Sequence, residues 1–461
     1  MKPTDRNPME KVHTTPLSVE MRRLRQPQLS RLLRKLLDES PTSGDTAHTR
    51  ALVGALLEDA ARENASDIHL DPAQGGYQLR LRIDGALVDT VLLEAEQGLH
   101  VIRTFKTHAD LDAAYTMQPQ DGRAEFQVGN RVVAVRVATT PTVLGEKLTL
   151  RLLPHELARL TLNELGLSAK DYELVCRAMH DARGMILVSG PTGAGKTTTL
   201  YALLNELKET NRAIMTIEDP VEYVVEGITQ IQVNEKQGLT FAEGVKGLLR
   251  LDPDIIMMGE MRDAVSARAA LDAADSGHVF LSSLHGRDVA GTVTALRNFG
   301  LADHEIAATV DVIVAQRLVR RLCPACRKQE PPTVAEIDWL KFYSQPVPKL
   351  TWHAVGCAQC GHSGYRGRIG IFEVYRLREE DADLILRHAD EHTLRRHIRQ
   401  YGTLSLVEDD LLKVAEGITS LGELQAAGGL GFFGPPPANR RAVRKKPAQR
   451  SEASAPAPTL V

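Results

Sequence analysis

Aromatic side chains are scarce in this sequence, 4% of 461 residues. Proteins that grip single-stranded nucleic acid stack its bases on aromatic rings in a basic groove, and a chain so poor in rings offers little for that work. Charge of one sign is lacking as well. Lys and Arg number 56 against 59 Asp and Glu, a formal net charge of -3, so no global pull on a polyanion is expected. Long apolar runs are missing: nothing approaches the roughly 18–20 residues of a membrane-spanning helix. The first thirty residues lack the apolar core of a secretory signal. These absences predict a cytoplasmic chain. Its five cysteines should be reduced there, and a metal site is a better use for them than a disulfide.

The hydrophobic content of 43% is ordinary for a soluble globular protein, and the length suggests two or three domains. Residues 1–45 read as a basic, partly disordered arm, with nine bases against three acids before Asp38. It carries one amphipathic piece, Leu29, Leu32, Leu33, Leu36 and Leu37, with Arg31, Arg34 and Lys35 between them. Such a face suits an acidic membrane surface, a partner protein, or the chain's own core. Residues 46–155 read as a small α/β domain: a helix from Ala51 to Glu63, a strand near Asp67–Leu70, a hairpin turning at Asp84-Gly85, and strands at Val132–Thr139 and Lys147–Leu152. A linker near Pro154–Asn163 follows. Residues 156–427 alternate short apolar runs with helical stretches, the pattern of an α/β domain with a largely parallel sheet. The runs are Met185–Val188, Ala213–Ile217, Ile255–Met258 and Val279–Leu284. A cysteine-bearing lobe at 320–365 interrupts the pattern. Residues 428–461, rich in Gly, Pro, Ala and basic residues, read as a disordered tail.

Gly190, Pro191, Thr192, Gly193, Ala194, Gly195, Lys196 and Thr197 fit G-x-x-x-x-G-K-[ST]. Glycines in such a loop let backbone N–H groups turn inward around phosphates, and the helix expected from Thr198 to Leu207 aims its positive end at them. Lys196 is then placed for the β- and γ-phosphates of ATP and Thr197 for Mg²⁺. Downstream, Asp254 to Glu260 is an apolar strand ending in a carboxylate, a Walker B pattern with Glu260 as the base or water-orienting residue. Glu218 and Asp219 add acids at the same sheet edge, and His285 follows the strand Val279–Leu284. Ligands of open α/β sheets bind at that edge.

Cys323-x-x-Cys326 and Cys357-x-x-Cys360 form two C-x-x-C knuckles, a zinc pattern. Four thiolates leave no open position for chemistry, so the role expected of the metal is structural, in a lobe with little core of its own. Cys176 stands apart.

Together these motifs resemble the ATPases of type II secretion and type IV pilus assembly. The resemblance spans roughly residues 50–425 and includes Ala65–Leu70, Leu81–Gly85, Pro119–Arg123, Gly145–Lys147, Thr216–Tyr223, Asp252–Ile256, Gly259–Asp263, Gly277-His278, Leu284-His285, Ala315–Leu322 and Gly364–Arg368. It implies a PAS-like domain ahead of a RecA-like P-loop ATPase, in a homo-hexamer. ATP sits between the two domains, with Arg136 and Arg151 of the first completing the site. The tetracysteine lobe points to assembly and secretion motors rather than retraction motors. The resemblance further implies a motor in the cytoplasm, peripheral to the inner membrane, acting on a membrane platform protein. Type II secretion is the preferred role, with pilus assembly as the alternative. A nucleic-acid-translocating ring and a non-hydrolysing adaptor remain as rivals, although no nucleic-acid partner is expected. The chain departs from the family pattern, with Gly286-Arg287 for Thr-Asn, Val265-Ser266 for Glu-Thr, Lys246 for Arg and Leu251 for Gln, and the resemblance leaves the family's long N-terminal docking module as one expected to be missing.

Overall fold

The computed structural model describes residues 29–39, 46–129, 131–153, 160–181, 184–208, 210–342 and 345–428. Most of the expected arm, the first part of the linker and nearly all of the expected tail lie outside them.

Six strands form an antiparallel sheet: β1 (Ala65–Ala73), β2 (Gly76–Ile83), β3 (Ala86–Glu94), β4 (Gln120–Val128), β5 (Arg131–Thr142) and β6 (Gly145–Leu153), in the order β3-β2-β1-β6-β5-β4. The β2–β3 turn is tight because Asp84 and Gly85 both take positive φ (50° and 83°), as a two-residue hairpin of this hand needs. Side chains alternate across the sheet. Ile68, Leu70, Leu79, Leu81, Val135, Val137, Leu148 and Leu150 are buried on one face, under α2 (Thr46–Arg62) and α3 (Ala95–His108). Arg80, Arg82, Arg123, Arg136, Lys147 and Arg151 fall on the opposite parity, the other face.

The amphipathic piece of the arm is α1 (Arg31–Asp38), and its apolar side packs on this same core. Leu33 and Leu36 are buried, the Ser30 N–H donates to Asp59 at 2.7 Å, and Leu32 is left outside at 52% exposure. Of the three readings of that face, the chain's own core is the one it meets.

The second sheet has seven strands: β7 (Gly184–Ser189), β8 (Ile214–Glu218), β9 (Thr229–Gln232), β10 (Ile255–Met258), β11 (Val279–Leu284), β12 (Val310–Leu322) and β15 (Tyr365–Arg376), ordered β15-β12-β7-β11-β10-β8-β9. All neighbours are parallel except the pair β12–β15. Wrapped around it are α4 (Leu162–Leu165), α5 (Ala169–His180), α6 (Lys196–Lys208), α7 (Phe241–Leu248), α8 (Ala264–Asp275), α9 (Val289–Asn298) and α10 (Asp303–Thr309). The central strands are buried on both faces, which is why they read as unbroken apolar runs. Their carboxyl ends share one edge, where the loops carrying Lys196, Asp219, Glu260 and His285 emerge.

The cysteine lobe does not so much interrupt this sheet as grow out of it. β12 runs past the sheet edge to Leu322, and β15 returns from Tyr365 paired to it. Between them lie β13 (Lys328–Glu330), α11 (Val334–Phe342) and β14 (Thr351–His353). Four helices close the described residues: α12 (Glu379–Leu386), α13 (Glu391–Gln400), α14 (Leu406–Ala415) and α15 (Leu421–Gly428). What core the lobe has is shared: Trp339 and Leu340 form a buried cluster with Val414, Leu421 and Leu424 of α14 and α15.

Two buried charges yield measurable consequences. Lys106 is fully buried and donates to Glu146 at 2.8 Å and to the Tyr115 carbonyl at 2.7 Å. Lys106→Met strands the Glu146 carboxylate and should cost about 3–5 kcal/mol in urea denaturation, with much of the loss recovered by adding Glu146→Leu. Glu373 on β15 is buried, and that burial, together with nearby Asp288, pushes its carboxyl up to about 8 against the pull of Arg399 and Arg395. The folded protein therefore holds a proton that the unfolded chain releases near pH 4.5. Stability should fall as pH rises from about 5 to 8, by up to about 1.4 kcal/mol per unit. Glu373→Gln should flatten that part of the profile, read as urea midpoints across the range.

Candidate active site

The loop between β7 and α6 is wound by its glycines. Gly193 and Gly195 take φ of 78° and 87°, which L side chains avoid. Gly190 is pressed from outside: a Cβ there would lie 2.6 Å from the Gln316 carbonyl oxygen. Lys196 opens α6, and its Nζ donates to the carbonyls of Gly190 (2.9 Å) and Pro191 (3.3 Å). Burial lowers its pKa, Glu260 opposes that shift, and Arg317 adds to it. Thr197 faces outward on the first turn, while Thr199 points in and donates to Gln316 Oε1 at 2.7 Å. The same Gln316 amide donates to the Ala194 carbonyl at 2.7 Å. Gln316, on β12, was visible in the sequence only as part of a motif. Its grip on this loop depends on β12 lying beside β7.

The acids separate into two kinds. Glu218 is buried and accepts from Tyr201 (2.6 Å), Thr216 (2.6 Å) and Gln230 (3.1 Å), so its carboxylate braces β8 against α6 and β9. Asp219 and Glu260 lie at the open edge and share one cation. Arg262 pairs with Asp219 at 2.6 Å, contacts Glu260 through Nε, and lies over the Phe241 ring at 5.3 Å. The two carboxylates thus sit on one guanidinium, beside the loop that carries Lys196.

Across from this edge, the first sheet presents a row that sequence reasoning saw only in part. Register places Arg123 opposite Arg136, and Arg136 opposite Arg151, on the three adjacent strands β4, β5 and β6. Like charges directly opposite on neighbouring strands are unfavourable, so the row needs anions. Arg151 meets Asp67 at 3.1 Å and Arg136 meets Asp121 at 3.8 Å. All three also act on Glu222, four residues past Glu218. Burial raises the Glu222 carboxyl pKa, and Arg123, Arg151 and Arg136 pull it back down. Arg123 escaped notice because the signal is its register, which appears only once β4 and β5 are paired.

His285 is exposed at the end of β11. The loop after it is held tightly. Gly286 fits where a Cβ would come within 2.4 Å of Ser189 Oγ and 2.5 Å of Thr292 Oγ1, two hydroxyls bonded to each other at 2.7 Å. The threonine that the family pattern places at 286 has no room here. Asp288 caps α9 through the Gly291 N–H (2.8 Å) and pairs with Arg395 at 2.6 Å. Ser266 fills its departure position well: its N–H is capped by Asp263, and its hydroxyl accepts from the Arg262 N–H. Lys246 instead pairs with Glu243 on the exposed side of α7, and Leu251 and Val265 are exposed.

The four knuckle cysteines converge. Cys323 and Cys357 lie 3.9 Å apart at sulfur, Cys326 and Cys360 3.9 Å, Cys357 and Cys360 3.8 Å, and all four sulfurs lie within 4.8 Å of one another. A tetrahedral zinc site with Zn–S near 2.3 Å has edges of about 3.8 Å, so the donor set fits that ion. The N–H groups of Cys357 and Gly364 point at the Cys360 sulfur at 3.2 Å, which favours a thiolate. Cys176 is half-buried, away from this group.

The sequence profile of the Type II/IV secretion system proteins matches residues 42–426. The chain is 40% identical over 384 residues to the type II secretion system ATPase E of Vibrio cholerae, covering 83% of this chain and 76% of that one. It is 41% identical over 381 residues to type II secretion system protein E of Pseudomonas aeruginosa, covering 82% and 75%. Among solved structures, the Legionella pneumophila ATPase DotB superposes with a TM-score of 0.63 over 85% of this chain and 98% of that one, at 24% identity, a likeness of fold. With its glycine loop, its edge carboxylates and its cysteine cluster, the chain belongs to the Type II/IV secretion system protein family, as an ATPase of the type II secretion E type.

Proposed function

We propose that Gly190–Thr198 binds the phosphates of ATP and that closure of the two sheets on each other turns hydrolysis into motion. The observation that carries this reading is a chain of charges: Glu260 acts on Lys196 of the glycine loop, Arg262 joins Glu260 to Asp219, and the row Arg123–Arg136–Arg151 acts on Glu222, three residues past Asp219. Lys196 exchanges loop carbonyls for the β- and γ-phosphate oxygens. Thr197, outward on the first turn of α6, and the edge carboxylates are the groups available to hold Mg²⁺, which neutralises phosphate charge when bound. Glu260 orients the attacking water once Arg262 yields it. The arginine row meets the charge that develops on the transferred phosphoryl group. Arginines so placed are worth about 10³–10⁵ in rate. Glu218 does its work in the core of the second sheet, holding β8 so that Asp219 and Glu222 project from its end.

In this reading the chain acts as a homo-hexamer on the cytoplasmic side of the inner membrane. It drives a membrane platform protein and so the assembly of a type II secretion pseudopilus. No described helix is long and apolar enough to cross a membrane, so attachment falls to protein or surface contacts. Cys323, Cys326, Cys357 and Cys360 hold zinc, which cross-links the turn after β12 to the turn before β15.

Lys196→Ala should lose ATP binding, and Glu260→Gln should keep binding while losing phosphate release by at least about 10²-fold. A Glu260→Gln enzyme with undiminished steady-state turnover would overturn the role given to Glu260. Metal content offers an independent check. The purified chain should carry one zinc per subunit, and Cys360→Ser should lose it and melt at lower temperature, since structural zinc contributes on the order of 10 kcal/mol to its lobe.

A further inference from the structure

Arg317 follows Gln316 on β12, and its guanidinium packs beside one loop and is bonded to another, the two coming from different strands. One nitrogen, Nη1, donates to the Gln316 carbonyl at 2.8 Å and lies 3.2 Å from where a Cβ on Gly190 would stand. The other, Nη2, donates to the Arg287 carbonyl at 2.8 Å. Nη1 is thus bonded to its own strand while it packs beside Gly190 at the start of the phosphate loop, and Nη2 is bonded to the segment that follows His285. Both loops are otherwise braced. The Gly190 N–H donates to the Leu284 carbonyl at 3.3 Å, and Gln316 grips Ala194 and Thr199. Arg317 therefore stands where a small shift of Gly190 is passed directly to the backbone of Arg287, two residues from His285. Burial holds its pKa down to about 10, with Asp288 and Glu373 opposing that shift, so it remains a cation at neutral pH.

We propose that Arg317 is a positioning residue that ties the phosphate loop to the His285 loop, so that the state of the first sets the placement of the second. The proposal rests on the reading of Gly190–Thr198 as the ATP site. The transmission has a physical origin in Lys196. Its ammonium bonds the Gly190 carbonyl, and a phosphate oxygen competing for that ammonium releases the carbonyl. Gly190 then relaxes against Arg317, which is rigid because its planar fork is already engaged at two carbonyls. Arg287 follows, and His285 moves relative to the phosphate edge. Lys in place of Arg317 could reach one carbonyl but not both.

The test is a double-mutant cycle on the full-length protein. Arg317→Met should lower kcat at least about tenfold while the dissociation constant for ADP changes less than about threefold, and Arg317→Lys should fall between it and the parent. His285→Ala should also lower kcat. In the Arg317→Met background it should add less than about twofold, because the two act through one loop and their effects do not multiply. Losses that multiply in the double variant overturn the proposal, as does a His285→Ala enzyme with parental kcat. Should Arg317→Met fail to fold, by thermal melt, Arg317→Gln carries the same cycle with one donor retained. Failure of the parent reading shows separately, as ATP binding that survives Lys196→Ala.

Discussion

Three arginines in register on neighbouring strands repel one another unless an anion lies across them. That constraint organises more of this molecule than any buried contact. Asp67 relieves Arg151 at one end of the row, Asp121 relieves Arg136 in its middle, and the Glu222 carboxylate, past the end of β8, acts on all three arginines. The row thereby gives the two sheets an electrostatic reason to face each other. A direct hydrogen bond between them is modest by comparison: the Gly367 N–H donates to Asp84 at 3.3 Å. A site closed by charge rather than by packing can open and shut. Apolar interlocking at the same place would have fixed the two sheets together.

The same logic explains why the edge acids are shared. Asp219 and Glu260 both rest on Arg262, so neither carboxylate stands alone beside the phosphate loop. Glu218 is different in kind. It is consumed by three donors and belongs to the core, although only one residue separates it from the edge. Strand parity produces that split, since successive side chains at the end of β8 point in opposite directions.

Much of the fold could be read from the sequence because its signals are local. The runs Ile255–Met258 and Val279–Leu284 coincide with β10 and β11, and Asp84-Gly85 turns the hairpin it was expected to turn. The phosphate loop and the cysteine knuckles were legible for the same reason, each being a short spacing with a fixed chemistry. What stayed hidden depends on pairing between distant segments. Arg123 becomes a partner of Arg136 only through the β4–β5 register, and Gln316 meets Ala194 only because β12 lies beside β7. The cysteine lobe lies between β12 and β15, and the core it shares with α14 and α15 comes from about eighty residues away in sequence and leaves no local trace.

Departure from a family pattern has the same split character. Gly286 reads as a loss when it is compared with a threonine at that position. In space it is the residue that lets Ser189 and Thr292 bond each other and draws the His285 loop against the end of β7. A hydroxyl is still present at that junction, supplied by α9 rather than by the loop. Ser266 likewise keeps the hydrogen bonds its position requires with one methyl fewer. Lys246 and Leu251 differ in that they lie on the outer side of α7 and its following turn, where Lys246 pairs with Glu243 and the Leu251 side chain is exposed. The changes near the phosphate loop are thus compensated inside the subunit, while those at α7 are left at the surface.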